Sequence, residues 1–149
     1  PAGAVELEIT ETMFGDFDAK AGQENAARIV NELHKMGFSV SVDDFGSGYS
    51  SLNSLKDLPL DVIKLDGEFF KETEDIDRSN KIVKDTVELA RHLEMKIVAE
   101  GIEKEEQVNF LQDIGCDLIQ GFYYAKPMTV PEFEHLLYGQ KNTGNQIVE

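Results

Sequence analysis

A formal charge of −15, from 14 basic against 29 acidic side chains in 149 residues, argues against nucleic-acid polymers or anionic membranes as main partners. Phosphate-rich surfaces recruit basic patches. Apolar residues at 41% and charged ones at 29% fit one globular domain with a sizeable core and exclude a disordered chain. Cys116 is the only cysteine, so no internal disulfide can form and a reducing, cytoplasmic setting is expected. Nothing resembles a signal peptide or a membrane span, so no membrane contact is expected from this segment. The chain opens at Pro1 without an initiator Met and enters a strand at once, which reads as a piece of a longer polypeptide.

Hydrophobic periodicity predicts the elements in order. Ala4–Thr10 alternates Val5, Leu7 and Ile9 against Glu6, Glu8 and Thr10, the pattern of a strand. A helix over Glu24–Met36 lines up Ile29, Val30, Leu33 and Met36, and Gly37 ends it. In the second strand, Phe38–Asp43, Val40 and Val42 share one face while Ser39, Ser41 and Asp43 share the other. Asp44 stands at the turn beside them. Ser50–Asp57 is a short helix carrying Leu52 and Leu55, closed by Pro59. The third strand is Asp61–Asp66. The longest helix, Ser79–Glu94, turns Ile82, Val83, Val87, Ala90 and Leu93 inward. A fourth strand, Lys96–Glu100, precedes a helix over Lys104–Ile114 (Val108, Leu111, Ile114 inward) that Gly115 stops. After a fifth strand, Asp117–Gly121, the last helix starts at Thr129. Glu132 follows in capping-box spacing, then Phe133, Leu136 and Leu137. Residues 1–138 form the domain, and Gly139–Glu149 reads as a polar, frayed tail.

Five successive βα units make a parallel sheet with right-handed crossovers, either open and doubly wound or part of a (βα)₈ barrel. Sandwiched parallel strands read as continuous apolar runs. Here the first two strands carry polar residues at every second position, which suits a barrel interior. A full barrel takes eight units and roughly 250 residues. The expectation is therefore an α/β chain forming the C-terminal five βα units of such a barrel.

Chemistry gathers at the strand ends: Glu8, Asp43 with Asp44, Lys64, Glu100 and Gln120. Ligands of α/β folds bind outside the carboxyl ends of parallel strands. The adjacent Asp43 and Asp44 repel each other unless protonated or neutralised by a cation. Hard oxygen donors suit Mg, Mn or Ca. Taken alone, this pair reads equally as a solvated turn capping a helix. Four carboxylates and one lysine on the first four strands, with Gln120 on the fifth, point instead to metal-assisted chemistry on an anionic substrate. Two ions about 3.5–4 Å apart can clamp the attacking and leaving oxygens of a phosphoryl displacement.

Leu7-Glu-Ile-Thr-Glu11, Val42-Asp-Asp-Phe-Gly-Ser-Gly-Tyr-Ser-Ser-Leu52, Ile63-Lys-Leu-Asp66, Val98-Ala-Glu-Gly-Ile-Glu103 and Ile119-Gln-Gly-Phe122 with Lys126-Pro127 stand in this order. They resemble the successive motifs of the EAL-type cyclic-di-GMP phosphodiesterase domain. The resemblance implies a TIM-like barrel that hydrolyses cyclic-di-GMP to linear pGpG with two Mg or Mn ions in bacterial second-messenger signalling. It implies that Glu8 and Asp43 hold the first metal, and that Asp43 bridges to the second with Asp44 and Glu100. Lys64 would orient the water or neutralise charge at the phosphate, and Glu100 would help to activate the water. Glu11 would brace the loop Phe45-Gly46-Ser47-Gly48, in which Ser47 stands where the family often has Thr. Glu103 and Gln120 would position substrate or ligands.

The Glu-Ala-Leu motif that names the family, whose Glu is a metal ligand, occurs nowhere here, and neither does the Asn of the following barrel strand. By the resemblance, the chain alone is inactive and its parent active. The parent would carry further signalling domains upstream and be cytoplasmic, or the cytoplasmic part of a membrane-anchored protein. Two open strand edges, near Glu8 and Gln120, lead to the expectation of a homo-oligomer. The rival readings are a non-catalytic EAL-like module that binds the dinucleotide or a protein, a phosphoacceptor receiver domain, and a Schiff-base aldolase using Lys64. A receiver needs its Asp pair on the first strand. Carboxylates around Lys64 favour its charged form, which opposes Schiff-base chemistry.

Overall fold

The computed structural model describes residues 2–10, 20–45, 52–71 and 74–139. Strands β1 (Glu6–Thr10), β2 (Ser39–Phe45), β3 (Val62–Leu65), β4 (Lys96–Ala99) and β5 (Leu118–Ile119) form one parallel sheet in sequential order. Between and after them run α1 (Lys20–Lys35), α2 (Leu52–Asp57), α3 (Ile76–His92), α4 (Glu105–Ile114) and α5 (Val130–Gly139). A doubly wound sheet reverses its strand order at a switch point. An unbroken 1-2-3-4-5 order is an arc of a barrel.

Alternation divides the strands between two faces. Val40, Val42, Ile63, Leu65, Ile97 and Ala99 join helix residues such as Val30, Val83, Val87 and Leu111 in one core. Val62 and Val98 are also buried but lie outside that cluster, in register with the opposite face, which Ser41 and Lys64 share. Each buried Val, Leu or Ile stabilises by about 1.5–3 kcal/mol. The helix-facing layer therefore holds the sheet, and the inner face is free to carry polar groups.

Two aspartates pin the strand starts. Asp61 Oδ2 accepts hydrogen bonds from Val40 N (2.7 Å) and pairs with His34 Nε2 (2.7 Å) at the end of α1. Asp117 Oδ2 accepts from Ile97 N at 2.9 Å. In each case a side chain entering one strand satisfies the first amides of its neighbour.

Several boundaries differ from the sequence expectation. β2 continues through Asp44 and Phe45, so Asp44 sits within the strand and not at a turn. α3 begins at Ile76, because Asp75 caps it by accepting from Arg78 N at 2.9 Å. Ser79 instead donates to Phe69 O. Ile82 and Leu93, expected inward, are exposed, as are Ile29 and Met36 on α1. Only the middle of each apolar stripe meets the sheet. Gly37 and Gly115 end α1 and α4 as expected, and the Arg91 guanidinium donates to the carbonyls of Ile114 and Gly115. α5 runs through Gly139, one residue into the expected tail, and residues 140–149 lie outside the described residues. Glu132 reaches back to accept from Thr129 N and Thr129 Oγ1, so the α5 start is capped as its spacing predicted. Among the described residues no helix is long and apolar enough to cross a membrane.

Candidate active site

The carboxyl ends of β1 to β4 converge on one ammonium group. Lys64 Nζ lies 2.6 Å from Glu8 Oε1, 2.9 Å from Glu100 Oε1 and 3.2 Å from Asp43 Oδ1. The Lys64 side chain is only 11% exposed, against 18% for Glu100, 24% for Asp43 and 50% for Glu8. Burial alone would lower the lysine pKa, but Glu8, Glu100 and Asp43 outweigh it and raise it well above the ordinary value. Lys64 is therefore a fixed cation, which disposes of the Schiff-base reading.

A bulge in β2 brings the Asp pair to this point. Val42 pairs with Ile63 and Phe45 with Leu65, so Asp43 and Asp44 together stand opposite Lys64 alone. The extra residue is taken up at Asp44, whose φ is 54°. Aspartate is one of the few residues that enter this region readily. Asp43 thereby faces Lys64, while Asp44 turns to Asp66. Desolvation, a hydrogen bond to Asp66 and the charges of Asp43, Asp66 and Glu100 push the Asp44 carboxyl up.

Lys64 makes its aligned hydrogen bond to Glu8. Asp43 Oδ1 and Glu100 Oε1 are buried and accept no aligned hydrogen bond, although the ammonium is close. Among the described residues no three carboxylate, His or Cys side chains stand together as a metal-holding group. Even so, Glu8, Asp43 and Glu100 crowd one ammonium, and Asp44 and Asp66 stand together next to Asp43 and Glu100. Such a donor set fits hard divalent cations.

Gln120 lines a cavity of about 520 Å³ with Glu6, Glu8, Lys64 and Tyr124, between the first and last strands. Glu103 is exposed and does not reach Lys64. It lines a second cavity, about 790 Å³, with Asp66, Gly67 and Glu100. Glu11, Gly46, Ser47 and Gly48 lie outside the described residues; Phe45 is buried in the helix-facing core. Asp66 was missed as a site residue, although an acid followed by Gly after a strand is a legible signal. Its Oδ1 also accepts from Glu68 N at 2.6 Å, capping the turn Gly67–Phe70.

An arc of a parallel barrel whose strand ends gather carboxylates around a buried lysine defines an α/β-barrel protein with an acidic, cation-seeking mouth. The sequence model of the EAL domain matches residues 1–127, and the chain belongs to that family as five βα units of its barrel. Among its relatives in Pseudomonas aeruginosa are the cyclic di-GMP phosphodiesterases NbdA, 35% identical over 134 residues, and RocR, 40% identical over 134 residues. Each alignment covers 89% of this chain, but only 16% of NbdA and 33% of RocR. The EAL domain of Mycobacterium smegmatis DcpA superposes with a TM-score of 0.81 at 37% identity, covering 92% of this chain and 59% of that one. The PaMucR phosphodiesterase, solved as a c-di-GMP complex, gives 0.74 at 38%, covering 89% and 51%.

Proposed function

We propose that the protein containing this chain is a divalent-metal-dependent phosphodiesterase that hydrolyses cyclic-di-GMP to linear pGpG. The observation that carries the reading is the Lys64 cluster: three carboxylates from three other strands around one buried cation, two of them, through Asp43 Oδ1 and Glu100 Oε1, without an aligned hydrogen bond. The relatives named as cyclic-di-GMP phosphodiesterases support it.

Glu8, Asp43, Asp44 and Glu100 are the groups that would hold two Mg or Mn ions, with Asp43 shared between them. Such ions, when bound, polarise a phosphoryl oxygen and make a bound water nucleophilic at neutral pH. Lys64, held protonated, neutralises charge at the phosphate and orients the attacking water. Glu100 would help to take a proton from that water. Glu103 and Gln120 line the adjoining cavities and position the dinucleotide. The 149-residue chain alone is inactive, because two ligands that the family resemblance requires are not in it.

A second reading has one observation in its favour: Lys64 already neutralises part of the cluster without any ion, as in a module that binds the dinucleotide and does not cleave it. Release of pGpG by the whole protein with Mg or Mn decides between the two. Tight binding of cyclic-di-GMP with no turnover in either metal would establish the binding module.

A further inference from the structure

We propose that Gly67, Gly101 and Gly121 form a side-chain-free seam that positions Glu100 and Gln120 beside Lys64, with Gly121 as its fixed point. Its bearing on catalysis rests on the phosphodiesterase reading; its geometry does not. Beyond β4 and β5 the chain keeps pairing on both sides. Glu100 N donates to Leu65 O (3.0 Å) and Gln120 N to Ala99 O (2.8 Å). Ile102 N donates to Gln120 O (3.1 Å), and Tyr123 N to Ile102 O (3.0 Å). The segment 100–102 is thus clamped between the ends of β3 and β5.

Both clamps are backbone against backbone. A Cβ at Gly101 would lie 3.1 Å from Gly67 Cα, and Gly101 also has a φ of +67°. At Gly121 no left-handed φ is involved; the requirement is space. A Cβ there would stand 2.0 Å from Ile102 O, 2.3 Å from its N and 2.6 Å from its carbonyl carbon. Ile102 is fully buried and its amide and carbonyl are both engaged, so it cannot rotate aside. Any side chain at 121 must lift residues 120–123 off residues 100–102. That moves Gln120 and Glu100 while β1, β2 and β3 keep their own pairing. These glycines touch no reacting atom, and their role is positioning.

The test is amide hydrogen exchange on the ¹⁵N-labelled chain, comparing Gly121→Ala with Leu111→Ala, a core truncation in α4 that leaves the three glycines unchanged. Gly121→Ala is expected to lower protection of Glu100, Ile102, Gln120 and Tyr123 at least tenfold relative to Ile63 and Leu65. Leu111→Ala is expected to lower all of them together. An even loss in Gly121→Ala, or unchanged protection at those four amides, would overturn the seam. If Gly121→Ala does not fold, Gly101→Ala is read at the same four amides with the same criteria. A Mn²⁺ titration of the whole protein adds the functional arm. Affinity at least tenfold weaker in Gly121→Ala than in Leu111→Ala supports positioning, and equal affinity refutes it. No Mn²⁺ binding by the unsubstituted protein would count against the phosphodiesterase reading, and the exchange data alone would then decide the seam.

Discussion

Glu8 Oε1 accepts a hydrogen bond from Lys64 Nζ at 2.6 Å across the inner face of the sheet, although the two residues stand 56 apart in sequence and two strands apart in space. This bond, with the flanking Asp43 and Glu100, turns a buried lysine from a liability into a support. Removing one partner of a buried pair leaves the other uncompensated, at a cost of roughly 3–5 kcal/mol when burial is complete. Glu8 is half exposed, so the lower end applies. Lys64→Met is expected to destabilise the chain by about 2–3 kcal/mol in urea at pH 7, with Lys64→Arg in between. Because folding raises the Lys64 pKa, its contribution is fully present below the ordinary lysine range and is lost only as pH rises through the higher folded value. Lys64→Met with wild-type stability at neutral pH would contradict the cluster.

Asp44→Asn should move stability the other way. Asp44 is pushed up by desolvation, its bond to Asp66 and the charges around it, so folding favours its neutral form. The stability linked to this group is present below its unfolded pKa and lost as pH rises through the folded one. Asparagine cannot ionise and accepts a φ of 54°. In metal-free buffer at pH 7 the variant should melt slightly higher, by an amount that solvent screening of this exposed carboxylate keeps small, and the gain should disappear on acidification to the carboxylate range. A lower melting temperature at pH 7 would contradict the repulsion.

The alternation in β1 and β2 made Glu8 and Asp43 legible as inward residues, and the succession of βα segments made the barrel arc legible. What remained hidden was tertiary. A two-against-one bulge cannot be read from Asp43-Asp44, because it depends on where β3 pairs, and so the turn to Asp66 was missed. Ser79 looked like a helix start by residue type, yet Asp75 caps α3, and Ser79 is drawn to Phe69 O. Ile29, Met36, Ile82 and Leu93 have the right period, but they fall on the margins of stripes that the sheet covers only along the middle. The clearances at Gly101 and Gly121 depend on residues that long stretches of chain separate.

In the whole protein, Mg or Mn should support pGpG release and Ca should inhibit it. Calcium prefers longer and looser coordination and would misplace the water. Asp43→Asn removes a charge assigned to both ions and is expected to lower kcat by at least about 10²-fold. Ser47→Thr adds one methyl four residues further along the chain and should stay close to wild type. Comparable rates for the two variants would remove Asp43 from its bridging role.

At the opposite end of the sheet, Asp61 Oδ2 holds both Val40 N and His34 Nε2 at 2.7 Å. Asp61→Ala leaves the buried Val40 amide without its acceptor, a loss of about 1–2 kcal/mol. Asp61→Asn, which keeps an acceptor, should lose less. Urea midpoints measured for the two variants check the order, and a neutral Asp61→Ala would show that water replaces the carboxylate.

The chain alone should self-associate. β1 and β5 are the two ends of the sheet among the described residues, and Val5, just before β1, and Leu118 of β5 are 47% and 56% exposed. Further along the chain from β5, Phe122, Tyr124, Val130, Phe133 and Tyr138 are exposed as well. Unpaired edges and contiguous apolar patches are templates for association. A charge of −15 on each copy opposes this, and salt screens that repulsion without weakening burial of apolar area. Light scattering should therefore show a dimer or larger assembly whose population grows as NaCl is raised. A stable monomer across that range would show that the edges are covered within a single chain.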